Sequence, residues 1–341
     1  MSINVLLFKL WKKIPTIIRR SIDTIGHLGR IATENRCCNL SKPVVFIMQC
    51  TSLLQNNIAL NQVNQYDVEE NISHLMTLAR IALEKGDTER ATAILEMGIK
   101  ICEDYGVYVA LPYMYDILAS ISFAMGNMDK AEHLLVSAIE KLVQIGTSDN
   151  DNQLVDFQLR LARIDSAYEN NDMAEIGFRD CLNKQKSKIL GGDTSTKTGM
   201  LYVNVLFWYG LHKIRSNEHK NAKELITSAY DYSQKIKGLS PYEEMVILYT
   251  LADLHMQLGQ NNLALENINS AILLCKSIGS TDMPRCYLKL AQIYVNLEIW
   301  PNARVYCEEA IKMASLFHDS AVMGEAEFVL QKIEKRQRKD E

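Results

Sequence analysis

Small and large apolar side chains follow one another along residues 67–338 in a pattern that returns every 39 to 48 residues. An alanine marks each repeat, and the six markers are Ala91, Ala131, Ala174, Ala222, Ala264 and Ala303. A mostly apolar, a small and a large residue follow each marker four, seven and eight positions later, spacings that share one face of an α-helix. Twelve positions before the markers stand further small residues, each directly after a large one: Ala79, Ala119, Ala162, Gly210, Ala252 and Ala291. The pattern predicts an A helix and then a B helix in every repeat.

The residues between these segments predict where the helices begin and end. The A-to-B turns begin at Gly86, Gly126 and Gly259 in three repeats, and at Glu169, Asn217 and Glu298 in the others. Four prolines stand where helices are expected to start, the position that tolerates a missing N–H: Pro112, Pro241, Pro284 and Pro301. A last amphipathic segment, about Ser320 to Arg338, predicts a capping helix. Residues 67–338 therefore predict an all-α solenoid of about six helix pairs plus this cap.

Composition agrees with long helices and narrows the function classes. Gly and Pro together make up 22 of 341 residues, about half the usual share, which is too few for a fold of many hairpins. The net charge of −4 combines +6 in residues 1–42 with −10 in the rest, and gives no overall reason to bind nucleic acid. The eight cysteines include no C-x-x-C pair, so reduced thiols are expected. Cys181 and Cys307 stand at packing positions and are predicted to be core residues.

The small–large pattern, the Gly-Asn/Asp turn and the later Ala-x-x-x-large-x-x-Ala resemble the tetratricopeptide-repeat family. That resemblance implies a right-handed superhelix whose A helices line a concave groove. The residues placed there by the register are Met76, Arg80, Phe123, Leu159, Arg163, Phe207, Leu211, Tyr249, Asp253, Met256, Leu288 and Gln292. Relatives that bind chaperone tails clamp a carboxylate with Lys and Asn, which are missing here, so an apolar helix or peptide is the expected partner. The alternative is that the long helices close the groove and partly bury these residues.

Three stretches carry a narrower resemblance: Tyr115–Leu135, Leu161–Leu182 and Met245–Ile272. They are similar to a mitochondrial branch of the family that is associated with respiratory complex III, and the likeness covers roughly residues 68–335. The resemblance implies a non-enzymatic factor, peripheral or loosely anchored at the inner membrane. It further implies binding to complex III subunits, including the Rieske iron–sulfur protein, and a part in clearing fragments of that subunit. The alternative is a cytosolic adaptor of the kinesin-light-chain kind.

The N-terminal residues predict a targeting segment. On a helical wheel of residues 3–20, isoleucines and leucines gather on one side and the cations on the other; the cations are Lys9, Lys12, Lys13, Arg19 and Arg20. Such an acid-poor amphipathic start is typical of a mitochondrial presequence, so residues 1–42 are predicted to engage the import machinery. A helix on a membrane surface, or one packed on the body, is the alternative. Residues 43–66 read as a linker whose apolar run, Val44–Leu54, is too short to span a bilayer.

The sequence contains no motif that would support an enzyme. Residues 191–198 fall one residue short of a phosphate-binding loop, with Thr196 in place of its second glycine, and a polar loop is predicted instead. The seven histidines form no zinc-ligand spacing; His212 and His219, seven positions apart, are expected at the surface or facing a partner. We therefore predict no catalytic residue, no metal and no cofactor.

Overall fold

The computed structural model describes residues 65–236 and 238–340, which divide into two compact units, one ending at Phe157 and the other beginning at Gln158. The first unit holds α1 (Gln65–Glu84), α2 (Thr88–Tyr105), the short 3-10 helix η1 (Tyr108–Ala110), α3 (Leu111–Ala124) and α4 (Met128–Gln144). Helix α5 (Asn152–Ala167) crosses the boundary. The presequence prediction for residues 1–42 and the run Val44–Leu54 lie outside the described residues.

The second unit continues the alternation of A and B helices. After α5 it holds α6 (Asn171–Leu190), α7 (Thr196–Arg215), α8 (His219–Ser233), α9 (Pro241–Gln257), α10 (Asn261–Ser277), α11 (Met283–Asn296), α12 (Trp300–Leu316) and α13 (Ser320–Asp340). No strand occurs in the described parts of the chain. Within them, no helix is long and apolar enough to cross a bilayer. The prediction of six helix pairs and a capping helix is confirmed, because α1–α12 are those pairs and α13 covers the last one.

Close approach of paired helices explains the small residues. All six marker alanines lie on B helices and are completely buried. In the third repeat the partner helices come so close that a Cβ on Gly177 would lie 2.8 Å from the Cβ of Ala162. In the fourth repeat the A-helix small residue is Gly210, and a Cβ there would overlap Ile226 of α8. In this repeat α7 and α8 approach so closely that Ile226 leaves no room for a methyl group at position 210.

The A-to-B turns share one backbone conformation whatever residue they contain. Gly86, Gly126 and Gly259 have positive φ, and so do the three residues that replace glycine: Glu169 at 64°, Asn217 at 59° and Glu298 at 59°. The next N–H then bonds back to a carbonyl five residues earlier, as from Asn170 to Asp165 at 2.9 Å. This is the Schellman arrangement that satisfies the carbonyls at a helix end. The predicted turn positions are confirmed, and two of them hold glutamate in a conformation that favours glycine.

Helix starts and the C-terminal cap also follow the sequence signals. Each of the four predicted prolines stands at the first or second position of its helix, in α3, α9, α11 and α12. Ser240 and Glu243 form a reciprocal capping box at the start of α9. Helix α13 buries Val322, Ala326 and Ile333 against α11 and α12.

The cysteines predicted to lie in the core do so. Cys181 and Cys307 are fully buried reduced thiols, like Cys102. Burial, assisted by the neighbouring Glu103, raises the pKa of Cys102 to about 12. Burial and Glu308 raise the pKa of Cys307 to about 11. These two thiols are therefore protonated at neutral pH, as expected of packing residues.

Candidate protein-binding site

The first unit contains three of the predicted groove residues. Met76 and Arg80 lie one turn apart on α1, and Phe123 lies on α3. Met76 is buried in the core that α1, α2 and α3 share. Arg80 is exposed and Phe123 is half-buried. The accessible part of the predicted surface in this unit is therefore Arg80 and one side of Phe123.

In the second unit the predicted residues lie on α5, α7, α9 and α11, and most of them pack between helices. Those that are buried are Leu159, Phe207, Leu211, Asp253 and Leu288. Those that are half-buried are Arg163, Tyr249, Met256 and Gln292. The structure thus favours the closely packed arrangement that the sequence left open. Whether the half-buried positions bind a partner stays a prediction.

An arginine stacked on a tryptophan joins α5 to α7. The guanidinium carbon of Arg163 lies 3.4 Å from the centre of the Trp208 ring. Trp208 also meets the ring of Phe207 edge to face, at 5.9 Å between centroids. An arginine flat on an indole is held in place and loses little further freedom when a partner arrives. Trp208, which the register did not nominate, therefore extends the candidate surface around Arg163.

A buried ion pair links α9 to α11. Lys289 Nζ donates to Asp253 Oδ1, and both side chains are at most 13% exposed. Gln257 donates to the other carboxylate oxygen of Asp253 at 2.8 Å. The ammonium group also lies 5.7 Å from the Tyr249 ring centre. Burial opposes the charge on Lys289, but Tyr249 and Asp253 outweigh it and raise the pKa of the lysine. Both carboxylate oxygens of Asp253 therefore make contacts within the protein, and this side chain serves packing between α9 and α11.

Polar pairs of the same kind connect α11 to the capping helix. Gln292 donates to Glu325 of α13 at 3.3 Å. Arg285 donates to Asp319, in the turn before α13, at 3.0 Å, and both side chains of this ion pair are nearly buried. Gln292 was predicted as a groove residue, and it therefore also helps to hold the cap in place.

A serine, a histidine and a glutamate meet at the junction of α5, α6 and α7. Ser166 Oγ lies 2.9 Å from His212 Nδ1, and Glu175 Oε2 lies 3.6 Å from His212 Nε2. The carboxylate beside Nε2 favours the tautomer that carries its proton there, in which Nδ1 accepts from the serine hydroxyl. Arg215 donates to Ser166 Oγ at 3.1 Å, and both Ser166 and His212 are almost fully buried. The hydroxyl is therefore engaged and enclosed, so the arrangement serves packing and not attack on a substrate.

The expectation that His212 lies at the surface or faces a partner is wrong. Its side chain is 3% exposed and its ring lies 5.4 Å from the ring of Phe178. The physical reason is helical spacing: Tyr209, which stacks on Phe178 at 5.6 Å, stands three residues earlier and shares its face. Burial lowers the pKa of His212, and Glu175 only partly opposes this effect. His219 is half-buried at the start of α8.

The remaining candidates are the segment that resembles a phosphate-binding loop, possible metal ligands and the targeting cations. Residues Gly191–Gly192 end α6, and Ser195 caps α7, so the segment that resembles a phosphate-binding loop is a polar connection. Asp193 accepts hydrogen bonds from Ser195 and Thr198, which lower its pKa to about 2. Among the described residues no three His, Cys, Asp or Glu side chains are grouped as metal ligands. The targeting cations Lys9, Lys12, Lys13, Arg19 and Arg20 lie outside the described residues.

Paired A and B helices, their small contact residues and their left-handed turns define the fold class: an all-α solenoid of the tetratricopeptide-repeat kind. Comparison with known proteins agrees. Human tetratricopeptide repeat protein 19, mitochondrial, is 22% identical over 282 residues, which cover 80% of this chain and 74% of that protein. The rat protein of that name is 24% identical and covers 74% and 72%, and the Drosophila melanogaster homologue is 20% identical and covers 78% and 72%. The chain is thus similar to tetratricopeptide repeat protein 19, as its three characteristic stretches predict.

Solved structures support the fold alone. The chain matches the apo form of RapI with a TM-score of 0.56 at 13% identity, over 97% of this chain and 88% of that one. It matches a signal-transduction ATPase with a tetratricopeptide repeat sensor from Pyrococcus horikoshii with a TM-score of 0.58 at 15% identity, over 86% of this chain and 43% of that one. The family described as anaphase-promoting complex subunit 5 matches residues 206–284, from α7 to the start of α11.

Proposed function

We propose that this chain is a mitochondrial, non-enzymatic protein-binding factor that supports the assembly and maintenance of respiratory complex III. Its action is to hold complex III subunits, including the Rieske protein, and to help clear fragments of that subunit at the inner membrane. The observation that carries the proposal is the likeness to mitochondrial tetratricopeptide repeat protein 19 over about three quarters of both chains. The basic amphipathic start of the sequence supports the location.

Accessible A-helix side chains within each unit suit a partner that is itself a helix or an extended peptide. Arg80 is exposed, and Phe123, Arg163 and Met256 each keep part of their surface accessible on A helices. Aromatic, arginine and methionine side chains are those that most often anchor such partners. The closed Ser166 cluster and the engaged Asp253 favour binding over catalysis.

Import and co-purification test the proposal. The full chain is expected to enter energised mitochondria, to be shortened there, and to co-purify with complex III subunits. A fluorescent protein fused to residues 1–60 is expected to reach mitochondria. Retention of both in the cytosol would contradict the proposal and favour an adaptor of the kinesin-light-chain kind.

Matched substitutions test which surface binds. Met256→Ala on α9 is expected to reduce recovery of complex III subunits, whereas Leu273→Ala on α10, an exposed residue of the same repeat, is not. Phe123→Ala and Val136→Ala form the same comparison in the second repeat. Circular dichroism and melting curves establish that each variant is folded. Equal recovery with all four folded variants would exclude Phe123 and Met256 as binding residues.

A further inference from the structure

The capping helix α13 is buried on one side and accessible on the other. Val322, Ala326 and Ile333 pack against α11 and α12. Residues at helical spacing share the opposite side, and all of them are exposed. We call this the outer face of α13, and it consists of Gly324, Phe328, Gln331, Lys332 and Lys335.

Phe328 is the large apolar residue of the outer face, and 57% of its surface is exposed. The outer side of a capping helix is normally polar, because it faces water. The Nζ atom of Lys332 lies 4.4 Å from the centre of the phenyl ring, which is a cation–π distance. The ring is thus an accessible apolar group with a positive charge beside it.

The two lysines of the outer face have no acid within one helical turn. Side chains three or four positions apart are neighbours on a helix. At those positions around Lys332 and Lys335 the sequence has, besides the lysines themselves, Phe328, Val329, Gln331, Arg336, Arg338 and Lys339. Lys312 of α12 is the opposite case, because Glu308 and Glu309 occupy those positions and Glu309 pairs with it at 3.4 Å. The positive charge of the outer face is therefore not neutralised by its own helix.

The acids of α13 lie towards the body of the protein or to one side. Glu325 accepts a hydrogen bond from Gln292 of α11 at 3.3 Å. Glu334 accepts one from Arg304 of α12 at 3.5 Å. Glu327 is exposed, but it directly precedes the phenylalanine of the outer face and so lies about 100° away from it around the helix. The outer face itself thus combines an aromatic ring with positive charge alone.

We propose that the outer face of α13 binds the surface of an anionic phospholipid bilayer. Phe328 enters the boundary between headgroups and acyl chains, while Lys332 and Lys335 contact lipid phosphates. Helices that lie in a membrane interface combine apolar side chains with cations in this way, because the two attractions add. The convex side of a single helix also suits a flat surface better than a peptide, which binds in a groove or along a strand. The inference rests on the proposed function, since it names the contact that would hold the protein at the inner membrane.

Co-sedimentation of the purified chain with lipid vesicles tests the proposal. One set of vesicles is phosphatidylcholine alone, and the other is phosphatidylcholine with cardiolipin as the anionic lipid. The basic N-terminal residues are expected to bind the same vesicles, so every protein in the assay is the full chain with glutamine at the five targeting cations: Lys9, Lys12, Lys13, Arg19 and Arg20. The expected result is binding to the cardiolipin vesicles that weakens as the salt concentration rises, and little binding to phosphatidylcholine alone.

Substitutions on the outer face identify the contact. Lys332→Gln and Lys335→Gln should each weaken binding to the cardiolipin vesicles about fivefold. Phe328→Ala should weaken it at low and at high salt alike, because the burial of an apolar ring is not screened. Val305→Ala and Lys312→Gln are the matched controls on α12, where an exposed apolar residue accompanies a lysine that is already paired, and they should leave binding unchanged. Circular dichroism establishes that each variant is folded.

Three outcomes would overturn the proposal. The first is equal binding to both kinds of vesicle, and the second is unchanged binding of the folded outer-face variants. The third is a loss of binding with the lysine variants but not with Phe328→Ala, together with equally tight binding of soluble polyglutamate, which would assign the face to acidic polypeptides. The assay contains neither mitochondria nor complex III, so its failure is distinct from a failure of import or co-purification.

Discussion

Gly210 offers a test in which the sequence pattern and the structure predict opposite signs. Five of the six repeats have alanine at this position, and alanine is favoured over glycine inside a helix by about 1 kcal/mol, so the pattern alone predicts that Gly210→Ala stabilises the protein. In the structure the added Cβ would overlap Cγ1 of Ile226 and lie 3.0 Å from its Cδ1. Ile226 is completely buried, and a closely packed interior resists its displacement.

The size of the effect follows from these two contributions. Overpacking a core of this kind costs about 1–3 kcal/mol, which exceeds the gain in helix propensity. We expect Gly210→Ala to lower the free energy of unfolding by roughly 1 kcal/mol, measured by urea denaturation. Gly324→Ala on α13 is the matched control, because nothing lies within 4 Å of its added Cβ. It should stabilise the protein by up to about 1 kcal/mol.

A double-mutant cycle identifies the cause. Ile226→Ala is itself costly, at about 2–5 kcal/mol, but it removes the two Ile226 atoms nearest to the new methyl group and leaves only the Ala222 carbonyl oxygen, at 3.4 Å. In that background Gly210→Ala should stabilise the protein, so the sign of its effect reverses. If Gly210→Ala stabilises the otherwise unaltered protein, the close approach of α7 and α8 that explains this glycine is refuted.

Three further predictions concern the turns, the buried histidine and the buried ion pair. Glu298→Gly and Glu169→Gly relieve a left-handed turn and should each stabilise the protein by about 1 kcal/mol in urea denaturation; a loss of stability would contradict the turn geometry. His212 has a lowered pKa, so the unfolded chain takes up its proton first, and stability should fall as the pH drops below the ordinary histidine value of 6.5. His212→Gln should reduce the fall in melting temperature between pH 7.5 and 5.5. An unchanged fall would show that other groups cause this pH dependence. Asp253→Ala should lower the free energy of unfolding by about 3–5 kcal/mol, because it leaves the Lys289 charge buried without its partner. Adding Lys289→Met should recover most of this loss if the pair is buried.

The fold could be predicted from the sequence because the same small positions, turn positions and helix starts recur in successive repeats. A small residue that recurs at a fixed position, as at Ala131 and Ala264, indicates that two helices approach each other closely there. The turn positions could be located even where glutamate replaces glycine, since the spacing to the marker alanine is kept. The spacing of residues does not show how far each helix is rotated about its axis or how closely its A-helix side chains pack against neighbouring helices.

The candidate site was harder to predict for that reason. The register placed Phe207 and Asp253 in a groove, but the long helices pack so closely that both are buried. The register did not nominate Trp208, because this residue stands two positions before the small residue Gly210 and is not on the face expected to line the groove. Its ring nevertheless stacks on Arg163. His212 could have been placed in the core from its distance of three residues to Tyr209.

The ion pair between α9 and α11 restricts which repeats can be neighbours there. Lys289 of α11 is paired because the residue that follows the small position on α9 is Asp253. At the corresponding position the two preceding A helices carry Arg163 and Leu211, and neither could neutralise a buried ammonium group. An insertion between the fifth and sixth repeats, or deletion of either one, would therefore separate Asp253 from Lys289. In contrast to a junction between interchangeable units, the contact between the fifth and sixth repeats is specific to these two helices, and a different repeat placed there would lower the stability.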